Sequence, residues 1–204
     1  MGMGMTDVDQ PDKIASLLSE IRNCRLCEDD LTCGPRPVLQ LSAQAHIFIC
    51  AQAPGIRVHE SGLPFTDPSG DRLREWLGID KEIFYDPQKV AIIPMGFCYP
   101  GTAAKGGDLP PRPECAATWH DEIFGKLATP TLKLVIGQYA HNYHLGSRRA
   151  KTLTQTVSQW RSYAPDIIPL PHPSPRNNIW LKKNPWFERD VLPYLRRRVA
   201  EILP

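Results

Sequence analysis

The stretch HIFICAQAPG, residues 46–55, decides the fold of this chain. Its first five residues are almost entirely apolar, and a loop of small residues ending in proline and glycine follows at once. Three more runs of this kind come later: VAIIP at 90–94, LKLVI at 132–136 and DIIPL at 166–170. Strands that are apolar on both faces are typical of a parallel sheet that helices cover on both sides. We therefore predict a central, mainly parallel sheet of four buried strands.

Helical patterns alternate with these runs. Apolar residues recur at helical spacing in residues 12–24, and further helices are expected at 69–77, at 113–128, from Gln138, at 153–160 and along the carboxy-terminal run. Pro193 should kink or restart that last helix. Alternating strands and helices over 204 residues predict an α/β fold, a single three-layer α/β/α domain. We assign residues 11–204 to this domain and residues 1–10 to a flexible tail.

The composition excludes some classes of protein. Mean hydropathy is −0.33 and no long apolar run is present, which argues against a membrane protein. The net charge of +2 gives no overall basic field, so any nucleic-acid surface must arise from local clustering. No signal peptide is recognisable, so a cytoplasmic location is expected. In that reducing compartment the six cysteines should be free, buried or metal-bound rather than disulfide-linked.

Loops rich in glycine, proline and polar residues follow each predicted strand. They read AQAPG at 51–55, MGFC at 95–98, GQYA at 137–140 and PHPSPR at 171–176. In open α/β sheets, ligands bind outside the carboxyl ends of the strands. We therefore expect these four loops to form one functional rim.

Two of these loops carry a resemblance to a known family. The first is residues 51–70, which read AQAPGIRVHESGLPFTDPSG. This segment resembles the uracil-DNA glycosylase superfamily in its iron–sulfur (family 4) branch. That branch has G-E-A-P-G, then six residues, then G-x-P-F and a small-residue turn into a helix. Residues 172–177, HPSPRN, are similar to a loop of the single-strand-selective branch. The resemblance runs from about Ile21 onwards. It implies a monofunctional DNA glycosylase of base excision repair, a hydrolase that removes uracil or a related damaged base from DNA.

The resemblance also implies roles for individual residues. His172 would support the negative charge that develops on the departing base, and Gln52, with backbone amides, would orient the attacking water. Phe65 would stack on the base, in a pocket that also includes Ala53, Pro54 and Gly55. The residues expected to contact the DNA are Ser69, Gly70, Ser174, Pro175, Arg176 and Asn177. We expect no membrane contact and no obligate protein partner.

The chain departs from the family 4 pattern at two informative positions. Gln52 stands where that branch has a glutamate, and Pro94 stands where its asparagine reads the uracil edge. Nearby polar side chains that could substitute are His59, Glu60, Asp67 and Asp71. The identity of the base is therefore left open. So is a second hypothesis, a glycosylase-like protein that binds DNA or a base without turnover.

Four cysteines form a two-plus-two pattern. Cys24 and Cys27 make a C-x2-C pair after the first predicted helix, and sixteen residues separate Cys98 from Cys115. This layout resembles the cluster ligands of the family 4 branch and implies a [4Fe–4S] cluster with a structural role. Zinc, or no metal, is the alternative. A redox or sensor protein is a third hypothesis for the whole chain. Cys50, at the end of a predicted strand, should be buried.

Overall fold

The computed structural model describes residues 10–203, and its centre is a sheet of four parallel strands. The strands are β1 (Ile47–Cys50), β2 (Val90–Ile92), β3 (Leu132–Ile136) and β4 (Ile167–Leu170). They lie in the order β2-β1-β3-β4, with Ile47 opposite both Val90 and Leu132. The prediction of four strands is confirmed, and the sheet is parallel throughout. Of the tail assigned to residues 1–10, positions 1–9 lie outside the described residues.

Helices connect the strands and cover the sheet. They are α1 (Gln10–Arg22), α2 (Ile56–Ser61), α3 (Pro68–Leu77), α4 (Lys81–Phe84), α5 (Pro113–Cys115), α6 (Asp121–Lys126), α7 (Gly137–Leu145), α8 (Leu153–Ser158), α9 (Asn178–Lys183) and α10 (Leu192–Ile202). A π-helical turn at Phe187–Val191 leads into α10, and Pro193 lies in the first turn of that helix. Val191, just before α10, already has helical φ and ψ (−79° and −49°), so the helix does not restart at Pro193; the irregularity is the π-helical turn that precedes it. In residues 10–203, no helix is long and apolar enough to cross a membrane.

The strands bury both of their faces. Ile47 and Ile49 point to one side, where they pack with apolar residues of α3, α8 and α10. Phe48 and Cys50 point to the other side, against α1 and α6. All four strand residues are at most 2% exposed, which accounts for the near-continuous apolar run in the sequence. The predicted three-layer α/β/α fold is confirmed, and so is the burial of Cys50.

The strand order places a crevice between β1 and β3. The chain leaves β1 toward β2 and later returns to the other side of β1, so the loops after β1 and β3 diverge at the carboxyl edge of the sheet. Gln52 and Gly137 face each other there. A Cβ built on Gly137 would lie 3.1 Å from Cδ of Gln52, and φ of Gly137 is +81°. Glycine is therefore needed at this position.

Candidate active site

A cavity of about 310 Å³ opens at the carboxyl edge of the sheet. Its apolar wall includes Val38, Ala51, Ile92 and Pro94. The sequence-predicted residues that also line it are Ala53, Pro54, Gly55, Phe65, Ser69, His172, Ser174, Pro175 and Arg176. The loops at 51–55 and 171–176 therefore meet at one site, as the rim prediction requires, whereas the loop at 95–98 does not line this cavity.

A second cavity of about 240 Å³ lies beside the first and shares His172 and Arg176 with it. Gln52 and Asn177 line this second cavity, together with Tyr139 from the first turn of α7. Gln52 thus shares the second cavity with His172 and does not line the first. The two residues predicted to be catalytic lie around the same small volume.

His172 is half-buried two residues after β4. Its Nδ1 accepts a hydrogen bond from the backbone N–H of Ser174 at 3.2 Å. An accepting Nδ1 carries no proton, so the proton of the neutral ring is on Nε2. Burial lowers the pKa of His172, although the Asp67 carboxylate opposes the shift. The side chain is therefore a neutral hydrogen-bond donor at the cavity wall.

The loop that carries His172 is held by hydrogen bonds from two other side chains. Asn177 Nδ2 donates to the carbonyl oxygen of His172 at 2.7 Å. From α3, Arg72 Nη1 donates to the carbonyl oxygen of Ser174 at 3.1 Å. Two prolines that flank His172, Pro171 and Pro173, further restrict the backbone. These contacts fix the imidazole relative to the sheet.

Phe65 contributes to the cavity and to the core. It is half-buried, lines the first cavity and packs edge-on against Phe84, with ring centroids 6.0 Å apart. Its φ of 56° is unusual for a side chain of this size. Such strain persists where surrounding contacts determine the backbone, and it is concentrated at functional sites.

Arg74 and Tyr85 hold the strained backbone of Phe65. The carbonyl oxygen of Phe65 accepts hydrogen bonds from Arg74 Nη1 at 3.1 Å and from the Tyr85 hydroxyl at 3.2 Å. Arg74 is only 6% exposed, and its guanidinium also pairs with Asp71 at 2.7 Å. Sequence reasoning did not identify Arg74 because nothing in its local context distinguishes a buried arginine from a surface one.

The start of α3 lies directly behind Phe65. Gly70 is buried, and a Cβ built on it would lie 1.8 Å from the carbonyl oxygen of Phe65. Its N–H is bonded to the backbone and side chain of Asp67, the residue that caps α3. Ser69 is 5% exposed at the cavity wall. Gly70 therefore permits the close approach of Phe65, and its contact with DNA stays a prediction.

The polar side chains around the site differ from the four that could replace the missing family 4 residues. Of those four, Asp67 lines the first cavity, whereas Asp71 is paired with Arg74. A further carboxylate, Asp108, lines both cavities and was not predicted. It lies in the long loop between Cys98 and Cys115. Long loops without secondary structure are often functional, and that was the one signal available in the sequence.

The four cysteines of the two-plus-two pattern face one small cavity of about 20 Å³. The turn after α1 brings Cys24 and Cys27, the loop after β2 brings Cys98, and α5 brings Cys115. Burial raises the pKa of Cys98 to about 11 and that of Cys115 to about 12. Within the described part of the chain, no group of three or more His, Cys, Asp or Glu is arranged to hold a metal ion.

Arg112 closes this cysteine cavity on one side. Its Nη2 lies 2.6 Å from Oδ2 of Asp30 and 2.6 Å from Oε1 of Glu114. The arginine thus joins the segment after Cys27 to the helical turn that carries Cys115. The two halves of the cysteine pattern are tied together independently of any bound group.

Comparison with protein families gives one match. Residues 39–196 match the family described as the Uracil DNA glycosylase superfamily. The matched segment includes the whole sheet, every lining residue of both cavities except Val38, and Cys98 and Cys115, and it begins after Cys24 and Cys27.

Proposed function

Because this chain belongs to the uracil DNA glycosylase superfamily, we propose that it is a monofunctional DNA glycosylase that hydrolyses the N-glycosidic bond of uracil or a related damaged base. The observation that carries the proposal is the placement of His172 and Phe65 at one cavity. An enzyme that acts on a base must take it out of the stack and hold it in a pocket. This cavity opens at the carboxyl edge of the sheet and offers both an aromatic ring and a neutral imidazole donor.

The proposed chemistry is dissociative. As the glycosidic bond breaks, its electron pair goes to the base, and in a pyrimidine negative charge develops on the carbonyl oxygen beside the bond. The Nε2–H of His172 would donate to that oxygen, and Phe65 would stack on the ring. Gln52 and backbone amides of the loop after β1 would orient water. Arg176, Ser174 and Asn177 would contact the DNA backbone.

A cavity without the asparagine of the family 4 branch leaves the preferred base open. The wall near Pro94 is apolar, and the carbonyl oxygen of Pro94 already accepts a hydrogen bond from His120 Nε2 at 3.0 Å. We therefore propose to test several damaged bases in addition to uracil. Oligonucleotides carrying uracil, hypoxanthine, xanthine or hydroxymethyluracil, single- and double-stranded, are incubated with the protein, and alkali reveals abasic sites. Release of one of these bases supports a glycosylase; DNA binding without release from any of them contradicts it.

The second candidate is a binding protein that holds DNA or a base without turnover. Gln52 favours it, because an amide packed against Gly137 cannot accept a proton from water as a carboxylate does. The same panel of oligonucleotides separates the two candidate functions, since a binding protein would bind the oligonucleotides but never form abasic sites.

We further propose that Cys24, Cys27, Cys98 and Cys115 hold a [4Fe–4S] cluster with a structural role. The donor set fits, because such clusters are held by four thiolates and these four side chains face one cavity. The space between these side chains is about 20 Å³, so the segments around it must rearrange on loading. Because the thiols of Cys98 and Cys115 have raised pKa values, loading must also release protons.

Iron and acid-labile sulfide, measured per chain after anaerobic purification, test the cluster. Cys98→Ser should remove both, whereas Cys33→Ser, at an exposed cysteine outside this cavity, should leave them unchanged. Zinc in place of iron, or no metal in the wild-type protein, contradicts the proposal.

A further inference from the structure

Asp108 is a carboxylate at the candidate active site that the proposed chemistry has not used so far. It lies at the boundary of the two cavities, lining both, as do His172 and Arg176. Its Oδ2 would lie 3.6 Å from a Cβ built on Gly55, so it reaches the backbone of the loop after β1. In the part of the chain that the structure describes, its carboxylate is engaged in no hydrogen bond or ion pair. The group is free to accept a proton.

The backbone around Asp108 is fixed although its side chain is free. Thr102 and Asp108 form an antiparallel bridge, and the N–H of Leu109 donates to the carbonyl oxygen of Gly101 at 2.8 Å. The neighbouring Gly107 has φ of +90°, and a Cβ there would lie 2.9 Å from Nη1 of Arg176. The hairpin at 101–109 therefore packs against the loop that carries His172. Asp108 is held at the site by contacts that do not depend on its carboxylate.

The other cavity carboxylate, Asp67, is less suitable. Its Oδ1 accepts the N–H of Gly70 at 3.2 Å and so caps α3. Gln52 and Ala53 offer no carboxylate in the loop after β1. A general base on the hairpin 101–109 would supply, from a different segment, the carboxylate that the loop after β1 lacks.

We infer that Asp108 is the general base of the proposed hydrolysis. The inference rests on the proposed function. The bond between C1′ of the sugar and the base nitrogen breaks, with its electron pair going to the base. The oxygen of water bonds to C1′, and its proton passes to Asp108, which returns it to solvent. The departing base takes up one proton from solvent, so the products are the free base and an abasic site.

The charged groups around Asp108 set the pH dependence. Partial desolvation raises the pKa of its carboxyl group, Arg176 lowers it, and Asp67 raises it. Arg57 from α2 and His172 also line the first cavity. Because a general base must be deprotonated, the rate of base release should fall as the pH drops below the raised pKa.

The test is single-turnover base release as a function of pH, on the best substrate of the panel. Asp108→Asn should lower the rate by about 10²-fold or more, leave DNA affinity unchanged and abolish the acidic decline. Formate should restore part of the activity of Asp108→Ala, since it can enter the space and accept the proton. Asp166→Asn is the matched control, because Asp166 is exposed directly before β4, at the edge of the sheet opposite the cavity.

Several outcomes overturn the inference. A rate for Asp108→Asn equal to wild type excludes Asp108 as the base while leaving the proposed function intact. A large loss of the base-release rate in Asp67→Asn, without such a loss in Asp108→Asn, identifies Asp67 as the proton acceptor. Parallel loss of DNA affinity and rate in Asp108→Asn gives a binding role instead. Absence of base release from the wild-type protein overturns the proposed function and this inference together.

Discussion

Asn177 holds the backbone of the residue to which we assign the chemistry. Its side chain donates to the carbonyl oxygen of His172 at 2.7 Å, so its contribution is to the position of the imidazole. Asn177→Ala should lower the rate of base release, by up to about 10²-fold, because a small misplacement of a reacting group has effects of that size. The measurement is single-turnover release with saturating protein. Asn142→Ala, at an exposed position on α7, is the control.

The same variant separates positioning from DNA contact. If Asn177 acts through His172, the affinity for DNA stays near that of wild type while the rate falls. If its main role is to contact the phosphate backbone, the affinity falls and the rate at saturation is preserved.

Sequence reasoning placed residues from the connections after β1 and β4 at one rim, and their roles there stay predictions. His172, Phe65 and the loop at 53–55 were predicted, and they line one cavity, because parallel strands bring their carboxyl ends to one edge. Asp108 and Arg74 were not predicted. Asp108 reaches the site through a hairpin whose packing against the His172 loop is a long-range contact, and Arg74 acts through a backbone carbonyl. Neither relation leaves a local pattern in the sequence.

At the scale of elements, the site depends on how closely α3 approaches the loop before it. Gly70→Ala would place a methyl group 1.8 Å from the carbonyl oxygen of Phe65, so that loop or helix must move. We expect a loss of about 3 kcal/mol in the free energy of unfolding, at the upper end of typical overpacking costs. Base release should also fall, because Phe65 is displaced. Urea denaturation and single-turnover release are the measurements.

A second glycine provides the matched control for this substitution. Gly125 is exposed in α6, and a Cβ built there has nothing within 4 Å. Gly125→Ala should therefore stabilise the protein by about 0.5–1 kcal/mol, the helix preference for alanine. Equal stability of the two variants would show that α3 and Phe65 do not pack as described.

The long elements were predictable and the short ones were not. The four strands were placed within two residues of their observed ends, because buried parallel strands are apolar without interruption. Helices α2, α4 and α9 were missed, since none exceeds six residues and a single turn or two shows no periodicity. Two of these flank the site: α2 follows the loop after β1, and α9 follows the His172 loop.

At the scale of the whole molecule, buried histidines link stability to pH. His141 is 2% exposed, and its Nε2 lies 3.0 Å from the carbonyl oxygen of Val135 and 3.1 Å from that of Leu170. Burial lowers its pKa from 6.5 to about 4. Below pH 6.5 the unfolded chain binds a proton that the folded chain does not. The stabilisation that comes from keeping His141 neutral is therefore complete above pH 6.5. As the pH falls from 6.5 toward 4, its loss decreases the free energy of unfolding by about 1.4 kcal/mol per pH unit.

The pH effect is measured by urea denaturation at several pH values between neutral and acidic. The free energy of unfolding should decline on acidification, and more steeply in the wild type than in His141→Gln. That variant keeps a side-chain N–H donor but does not titrate. Burial also lowers the pKa of His120, His144 and His172, so some decline should persist in the variant. An identical slope in both proteins would contradict the assignment to His141.

The loop between Cys98 and Cys115 connects the two functional regions of the molecule. Its ends face the cysteine cavity, and its middle, at Asp108, lines the candidate active site. A group bound by the cysteines would therefore fix both ends of the segment that carries Asp108. This arrangement gives a structural reason for the proposed cluster, since the proposed reaction transfers no electron.

The most direct test of the central claim is single-turnover base release by His172→Ala, compared with wild type, on the preferred substrate of the panel. Removal of one donor to a developing anion should lower the rate by about 10²–10³-fold, with DNA affinity mostly kept. His46→Ala, at an exposed histidine before β1, should behave as wild type. Release by His172→Ala at the wild-type rate would contradict the assignment of the active site to this cavity.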